Sequence, residues 1–332
     1  MKAIVLESAE NPIVYKEVNK PVLQAGEVLV QVKAAALNRR DYWITVGKYG
    51  GIKYPTILGS DGAGIVAEVG EGVDAGLAGK EVIINPSHDY GASDEFQGKD
   101  FKILGLPEDG TFAEYVKVKA EYLYPKPAHL SWEQAAAIPL AGLTAYRALF
   151  TKGHAKAGDK VLIIGAGSGT GTFLIQWAVA AGCEVYTTSG SAEKIALTKE
   201  LGAIAGVNYK DEDWDTQLQQ LAGGFDVVID SALGEGFAKI PDICKPGAHI
   251  VTFGGTAGDF PAFNARRFFY KQLTLSGSMM GTVAEFEAML NIVDKYRIVP
   301  VIDEVFPLAD AKTAIARMER SAQFGKIVLK IS

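Results

Sequence analysis

One stretch constrains the fold of this chain more than any other: residues 161–171 read VLIIGAGSGTG. A short apolar run leads into a glycine-rich turn, and the segment after it, GTFLIQWAVAAG, has helical periodicity. The next strand-like run, CEVYTTS, completes a unit of about 30 residues, the arrangement that binds a dinucleotide phosphate at the helix N-terminus. The literal pattern G-x-G-x-x-G is missing, because Thr170 and Thr172 stand where its last glycine would be. A plain tight turn is therefore the alternative.

The chain has two kinds of pattern, one on each side of Ser131. Before it, short runs such as EVLVQVKAA and AEYVKV are separated by Gly, Pro and Asn, which predicts a compact antiparallel β unit. At Ser131 a serine N-cap precedes a helix, with Glu133 in its first turn, and helices then alternate with buried strand-like runs such as DVVIDSA. We therefore predict an α/β protein with a parallel sheet covered by helices. The last run, GKIVLKI, is expected to return to the β unit.

Length, composition and charge exclude several classes of protein. With 332 residues, 48% apolar and 22% charged, the chain is expected to form two globular domains and not a disordered or fibrous protein. A net charge of -6 argues against nucleic acid or a membrane as partner. Two cysteines, Cys183 and Cys244, cannot build a disulfide framework, and we expect the N-terminal segment to be neither a signal peptide nor a membrane span. We expect a cytoplasmic protein.

The end of the second strand of the unit bears on the choice of cofactor. An NAD site would place a carboxylate there to bind the ribose 2′-hydroxyl, but the sequence offers hydroxyls and a cation, which suit a 2′-phosphate. The residues that favour NADP(H) are Ser189, Ser191, Lys194 and Tyr209. The alternative for Lys194 is a solvated helix residue.

Several motifs together resemble the medium-chain dehydrogenase/reductase superfamily, and within it the zinc-free quinone oxidoreductase branch. They are ALNRRDYW (36–43), LGSDGAGIVAEVG (58–70), GTFAEYV (110–116), AAAIPLAGLTAYRAL (135–149), the turn at 165–171 and the terminal FGKIVL. The resemblance implies a GroES-like catalytic domain formed by residues 1–128 and 280–332. It also implies an inserted Rossmann domain at 129–279, with the cofactor in the cleft.

The chain lacks the zinc-ligating residues that zinc-dependent members of this superfamily carry in the same motifs. Zinc-dependent members use a Cys in the first motif and a His-Glu pair in the second, where this sequence has Asn38 and Ser60-Asp61. The region of the structural zinc, residues 87–105, contains no cysteine, and its one histidine, His88, is expected to be solvated. We therefore predict no metal, and we interpret the loop 86–107 as a remnant of the metal lobe or a lid.

The resemblance also implies the site residues. Asn38 would donate a hydrogen bond to the substrate oxygen, Tyr49 would act as a donor or platform, and Asp41 would orient the site. Both Asn38 and Asp41 could instead be helix-start caps. The remaining predicted cofactor-binding residues are Thr144, Gly165, Ala166, Ser168, Gly169, Thr170, Gly171, Gly254, Met279 and Lys326.

Without a metal, reduction of an ordinary ketone lacks a Lewis acid, whereas a quinone or an α,β-unsaturated ketone spreads the developing charge. We therefore predict an NADPH-dependent, zinc-independent reductase of such small electrophiles, with water as the proton source. The resemblance implies a homodimer through the edge strand near 273–278. Three alternatives stay open: an enoyl-thioester reductase, a non-catalytic NADPH-binding sensor or structural protein, and a zinc alcohol dehydrogenase with stoichiometric metal.

Overall fold

A computed structural model describes residues 1–8 and 13–331, which form two compact units. The first unit comprises Met1–Ala141 and Thr282–Ser332, and the second comprises Gly142–Gly281. The second unit is thus inserted into the first, in the arrangement predicted for a GroES-like domain and a Rossmann domain. Within the described residues, no helix is both long and apolar enough to cross a membrane.

The first unit is built mainly from β-strands. Its elements are β1 (Lys2–Leu6), β2 (Val14–Glu17), β3 (Glu27–Ala36), α1 (Arg39–Thr45), β4 (Thr56–Ile57), β5 (Asp61–Val69), β6 (Glu81–Ile84), β7 (Ser87–His88), β8 (Lys102–Ile103), β9 (Tyr115–Lys119), β10 (Leu123–Pro125) and α2 (Trp132–Ala137). Helix α3 (Pro139–Tyr146) follows and crosses into the second unit.

The second unit alternates strands and helices. Its elements are β11 (Lys160–Ile164), α4 (Gly169–Ala180), β12 (Glu184–Ser189), α5 (Ala192–Glu200), β13 (Ala205–Asn208), α6 (Trp214–Ala222), β14 (Phe225–Asp230), α7 (Ile240–Ile243), β15 (Cys244–Thr252), α8 (Ala265–Tyr270) and β16 (Thr274–Gly277). The chain then returns to the first unit with α9 (Val283–Tyr296), β17 (Ile302–Pro307), α10 (Ala311–Glu319) and β18 (Lys326–Lys330).

Both predicted folds are confirmed. The main sheet of the first unit has the order β10-β6-β5-β3-β18-β17, with β9 also paired to β3, and its pairs are antiparallel except β17 with β18. The sheet of the second unit is entirely parallel, in the order β13-β12-β11-β14-β15-β16. Numbered within the unit, this is the order 3-2-1-4-5-6 of Rossmann folds. The chain changes direction across the sheet between β11 and β14, where such folds bind ligands.

The boundary between the units lies later than the predicted 128/129. Ser131 caps α2 as expected, because its Oγ accepts a hydrogen bond from the Gln134 amide at 3.2 Å. The helix nevertheless packs on β3, β5 and β18, so it belongs to the first unit. The residues after Ser131 form more than one helical segment: α2 ends before Pro139, which has no amide hydrogen to donate, and a π-helical segment, Arg147–Lys152, follows α3.

Candidate active site

The strongest polar cluster in the first unit joins three segments that are far apart in sequence. Asn38 follows β3, Asp61 begins β5 and Lys326 begins β18, and at most 6% of each residue is exposed. The Lys326 Nζ donates to Asn38 Oδ1 at 2.7 Å, to Asp61 Oδ2 at 2.9 Å and to the Leu37 carbonyl at 2.8 Å. The Asn38 amide donates to the same Asp61 oxygen at 2.9 Å. The pairing of β3 with both β5 and β18 brings these side chains together.

This network fixes the orientation of Asn38. An ammonium only donates, so the amide oxygen must face Lys326 and the amide nitrogen must face Asp61. One N–H of Asn38 Nδ2 then remains for a substrate, as its predicted donor role requires. All three hydrogens of Lys326 are used, so the predicted contact of Lys326 with the cofactor would require one of these bonds to break.

Asp41 is fully buried and acts at the start of α1. Its Oδ2 accepts a hydrogen bond from the Asn38 backbone amide at 2.7 Å, while its Oδ1 is buried without a partner among the described residues. Burial raises the pKa of this carboxyl to about 6. Asp41 therefore caps the helix and holds the Asn38 backbone, as the helix-start alternative has it, and its orienting role in the site stays a prediction. The Asn38 side chain, by contrast, is engaged with Asp61 and Lys326.

Arg40 is a buried cation beside this cluster that the sequence analysis did not single out. Only 8% of it is exposed, and its Nη1 donates to the Ser60 hydroxyl and to the Leu104 carbonyl. Its Nε lies 3.4 Å from the Tyr49 hydroxyl, and the guanidinium carbon lies 5.1 Å from the centre of the Tyr49 ring. The sequence did offer one signal for Arg40. An arginine in the first turn of a helix is unfavourable, because its charge opposes the positive end of the helix dipole.

Asn38, Ser60 and Asp61, which stand where zinc ligands would be, do not fit a catalytic zinc. An amide, a hydroxyl and a carboxylate replace the soft and borderline ligands that Zn²⁺ prefers. The amide and carboxylate oxygens already bind the Lys326 ammonium, whose charge would repel a metal ion. Within residues 1–8 and 13–331, no group of three or more His, Cys, Asp or Glu side chains is placed to hold a metal.

The loop 86–107 is held by aromatic stacking and ion pairs. His88 is buried, so the expectation that it is solvated is wrong: its ring stacks on Tyr122 at 4.0 Å and 9°. Burial lowers the pKa of His88 to about 4. Asp89 accepts hydrogen bonds from Lys119 and from the Tyr122 hydroxyl, at 3.1 and 3.0 Å. The sequence could not predict this stacking of His88, because its partner Tyr122 lies outside the loop.

In the second unit, the glycine-rich turn has the geometry of a phosphate site. The Ser168 side chain caps α4 by accepting a hydrogen bond from the Gly171 amide at 3.0 Å. A Cβ on Gly171 would lie 2.6 Å from the Ala166 carbonyl, so only glycine lets the helix approach the turn this closely. The Gly165 and Ala166 amides bind the Thr188 side chain and carbonyl at the neighbouring strand end. With the N-terminus of the 12-residue α4, this turn fits a dinucleotide phosphate.

The predicted 2′-phosphate residues gather at the ends of β12 and β13. Ser191 caps α5 by accepting from the Lys194 amide at 3.4 Å, and the Tyr209 amide donates to the Ser189 carbonyl. A Cβ built on Gly190 would lie 2.6 Å from the Tyr209 hydroxyl oxygen and 3.0 Å from Lys210 Cε.

Lys210 is a second cation at this edge that the sequence analysis missed. Its side chain has no ion-pair partner among the described residues. Its place next to Tyr209, directly after a strand, was the available signal.

The remaining predicted cofactor residues lie in the same unit. Thr144 is buried in α3, and its hydroxyl is 3.8 Å from the sulfur of Met280, the neighbour of the predicted Met279. Met279 itself is 41% exposed. Gly254 follows β15, and its carbonyl accepts from the Thr252 hydroxyl at 3.1 Å. Gly169 and Thr170 open α4.

Comparison with known proteins identifies the families to which this chain is similar. Residues 24–128 match the family model described as alcohol dehydrogenase GroES-like domain, and residues 169–295 match the one described as zinc-binding dehydrogenase. The zinc-type alcohol dehydrogenase-like protein YogA of Leptosphaeria maculans is 36% identical, and the alignment covers 96% of this chain and 95% of that protein.

Two solved structures extend the comparison. An NAD-dependent alcohol dehydrogenase superposes with a TM-score of 0.94 at 34% identity, covering 100% of both chains. The 2-octenoyl-CoA carboxylase reductase CinF, in complex with NADP and 2-octenoyl-CoA, superposes with a TM-score of 0.88 at 28% identity, covering 99% of this chain and 87% of that one. Fold and site together define an oxidoreductase. The chain belongs to the medium-chain dehydrogenase/reductase superfamily.

Proposed function

We propose that the protein is an NADPH-dependent, zinc-independent reductase that transfers hydride to a quinone or an α,β-unsaturated carbonyl compound. The observation that carries the proposal is the cluster of Asn38, Asp61 and Lys326. Where zinc-dependent relatives bind a metal, this chain holds a buried ammonium on an amide and a carboxylate. This placement supports the zinc-free quinone oxidoreductase-like branch.

The cofactor is assigned from the residues at the ends of β12 and β13. Two solved relatives are described with different nicotinamide cofactors, one as NAD-dependent and the other in complex with NADP. This chain offers Ser189, Ser191 and Tyr209 hydroxyls with Lys194 and Lys210, and no carboxylate stands at the end of β12 itself. These groups favour a 2′-phosphate over a free 2′-hydroxyl.

NADPH supplies a hydride when it is bound, and the chain binds it, orients it and handles the acceptor. The α4 turn would hold the pyrophosphate, and Thr144 would orient the nicotinamide. In the first unit, the remaining N–H of Asn38 Nδ2 donates to the acceptor oxygen, Tyr49 serves as a donor or platform for the acceptor, and Asp41 keeps Asn38 in place. Water provides the proton, because Lys326 is held by three acceptors.

An enoyl-thioester reductase is the second candidate. The CinF structure, at 28% identity, contains 2-octenoyl-CoA, a conjugated thioester. Reduction at its conjugated carbon would use the same donors, so the two candidates differ only in the acceptor.

The homodimer and the cytoplasmic location stay predictions.

The proposal is tested by following NADPH oxidation with chelator-treated protein and a panel of quinones, enones and enoyl thioesters. We expect metal-independent turnover with at least one class of acceptor. Loss of activity on chelation, with about one zinc per chain before treatment, would overturn the zinc-independent reading. Tight NADPH binding without turnover on any acceptor would favour the non-catalytic alternative.

A separate measurement tests the cofactor assignment. Lys194→Ala and Lys210→Ala should each weaken NADPH binding by roughly 1.5–3 kcal/mol, the size of a charge-assisted contact, while NADH binding stays nearly unchanged. Fluorescence titration with both cofactors gives the comparison. Equal losses for NADH and NADPH would refute the 2′-phosphate role.

A further inference from the structure

We propose that Arg40 stabilises the negative charge that develops on the acceptor oxygen during hydride transfer. The inference rests on the proposed reductase function and names the electrophile that such an enzyme needs in place of a metal. It assigns a catalytic role to a residue that the sequence analysis did not single out.

The hydrogen bonds of Arg40 leave one edge of the guanidinium available. Nη1 is used by the Ser60 hydroxyl and the Leu104 carbonyl, and Nε points to the Tyr49 hydroxyl. Nη2 donates to no described residue, and it is not among the polar atoms that are both unpaired and sealed from solvent. Two N–H groups of Nη2 therefore remain for a ligand.

The charge of Arg40 is also not neutralised by an ion pair. Among the described residues no carboxylate lies within 4.0 Å of its guanidinium, and its three hydrogen-bond partners are neutral. Two other cations of the first unit are compensated: Lys326 binds Asp61 at 2.9 Å, and Arg317 binds Asp303 at 2.6 Å. Asp41 interacts with Arg40 only through space.

A purely structural role explains this arrangement poorly. Burying a cation without an anion costs free energy, and a neutral donor could join Ser60 to Leu104 as well. Lys326 cannot do the work proposed for Arg40, since its three hydrogens are all bonded. Of the two buried cations in the described part of the first unit, Arg40 is thus the one that has free donors and no ion pair.

The proposed step is the reduction of an enone. Hydride from NADPH forms a C–H bond at the β-carbon of an enone, and the electron pair of the C=C bond moves to give an enolate oxygen. Arg40 Nη2 donates to that oxygen together with Asn38 Nδ2. Water protonates the α-carbon and leaves hydroxide, so that enone, NADPH and one proton yield the saturated ketone and NADP⁺.

The first test compares Arg40→Met and Arg40→Lys with Arg39→Met as a matched control. Arg39 lies on the same helix, but its donors bind the Met318 carbonyl and the Ser321 hydroxyl. We expect kcat/KM of Arg40→Met to fall about 100- to 1,000-fold, as when one oxyanion donor is removed, and Arg40→Lys to fall less. The loss should grow with the basicity of the oxyanion formed from each acceptor. Equal loss for every acceptor would overturn the proposal, because a misfolded site slows all of them alike.

The second test needs no turnover. A nitrophenol bound to the NADP⁺ complex mimics the enolate, and its absorbance reports how far it ionises. We expect more ionised nitrophenol in wild type and Arg39→Met than in Arg40→Met, and recovery when guanidinium is added to Arg40→Ala. Equal ionisation in all of them would refute the role of Arg40. Wild type that ionises the phenol through Arg40 but reduces no acceptor would instead refute the proposed function alone.

Discussion

At the residue scale, the site contains two buried cations, of which one has an ion pair and the other has none. Lys326 is paired, fully bonded and fixed, whereas Arg40 is unpaired and keeps free donors. The sequence indicated polar residues at Asn38 and Asp61, but it could not indicate their partner, because Lys326 lies 288 and 265 residues away from them. Only the pairing of β3 with β5 and β18 brings them together. Arg40 was missed because its one signal in the sequence, a cation in the first turn of a helix, does not reveal that the side chain is buried.

The Lys326-Asp61 pair predicts a strong coupling in stability. Lys326→Met leaves the Asp61 carboxylate buried without its counter-charge, which should lower the free energy of unfolding by about 3–5 kcal/mol. Adding Asp61→Asn should recover part of that loss, and denaturant unfolding of both single variants and the double variant measures it. Lys2→Met, in a pair of exposed side chains 3.6 Å apart, serves as control and should cost below about 1 kcal/mol. Strictly additive losses would contradict the coupling.

Asp41 predicts a pH dependence of a definite sign. Its pKa is raised from 3.8 to about 6 by burial, so the folded state binds this proton more tightly than the unfolded state. The stabilisation is present at low pH and is lost as the pH rises from about 4 to 6. Asp41→Asn keeps an oxygen for the Asn38 amide and removes the titration. Unfolding at several pH values should show wild type losing about 2–3 kcal/mol relative to the variant across this window. A constant difference would show that Asp41 does not titrate there.

At the scale of elements, the strand-turn-helix unit was the most predictable part of the molecule. The sequence placed β11, the turn and α4 correctly although the literal glycine pattern was missing, because apolar run, turn and helical period agree locally. The boundary near Ser131 was less predictable. The caps of α2 are local, but its assignment to the first unit depends on packing against strands from both ends of the chain.

Gly171 gives a prediction for this element. Gly171→Ala would place a methyl group 2.6 Å from the Ala166 carbonyl, so the turn must open and NADPH binding should weaken at least about tenfold. Gly236→Ala is the control, because a Cβ there meets nothing within 4 Å. Cofactor titration and thermal unfolding of both variants test this. Unchanged binding by Gly171→Ala would mean that the turn does not hold the phosphate.

At the scale of the whole molecule, β16 ends the sheet of the second unit with a free edge. The Ser278 amide donates to the Thr252 carbonyl, and amide directions alternate along a strand, so the Gly277 amide faces away from β15. If two chains pair through this edge, Gly277→Pro should convert a dimer to monomers without loss of folding. Sedimentation of both proteins measures this. A wild-type monomer, or an unaffected dimer, would contradict the prediction.

The insertion of one unit into the other also sets the order in which the protein matures. A ribosome makes Asn38 and Asp61 before the whole second unit and Lys326 after it. The second unit is continuous in sequence and can fold during synthesis, whereas the first must wait with the β18-facing part of β3 unpaired. A chain stopped by a premature codon between 282 and 325 would hence expose a strand edge and leave the Asp61 carboxylate without its Lys326 counter-charge. Such a product is a client for chaperones and proteases, not an enzyme of reduced activity.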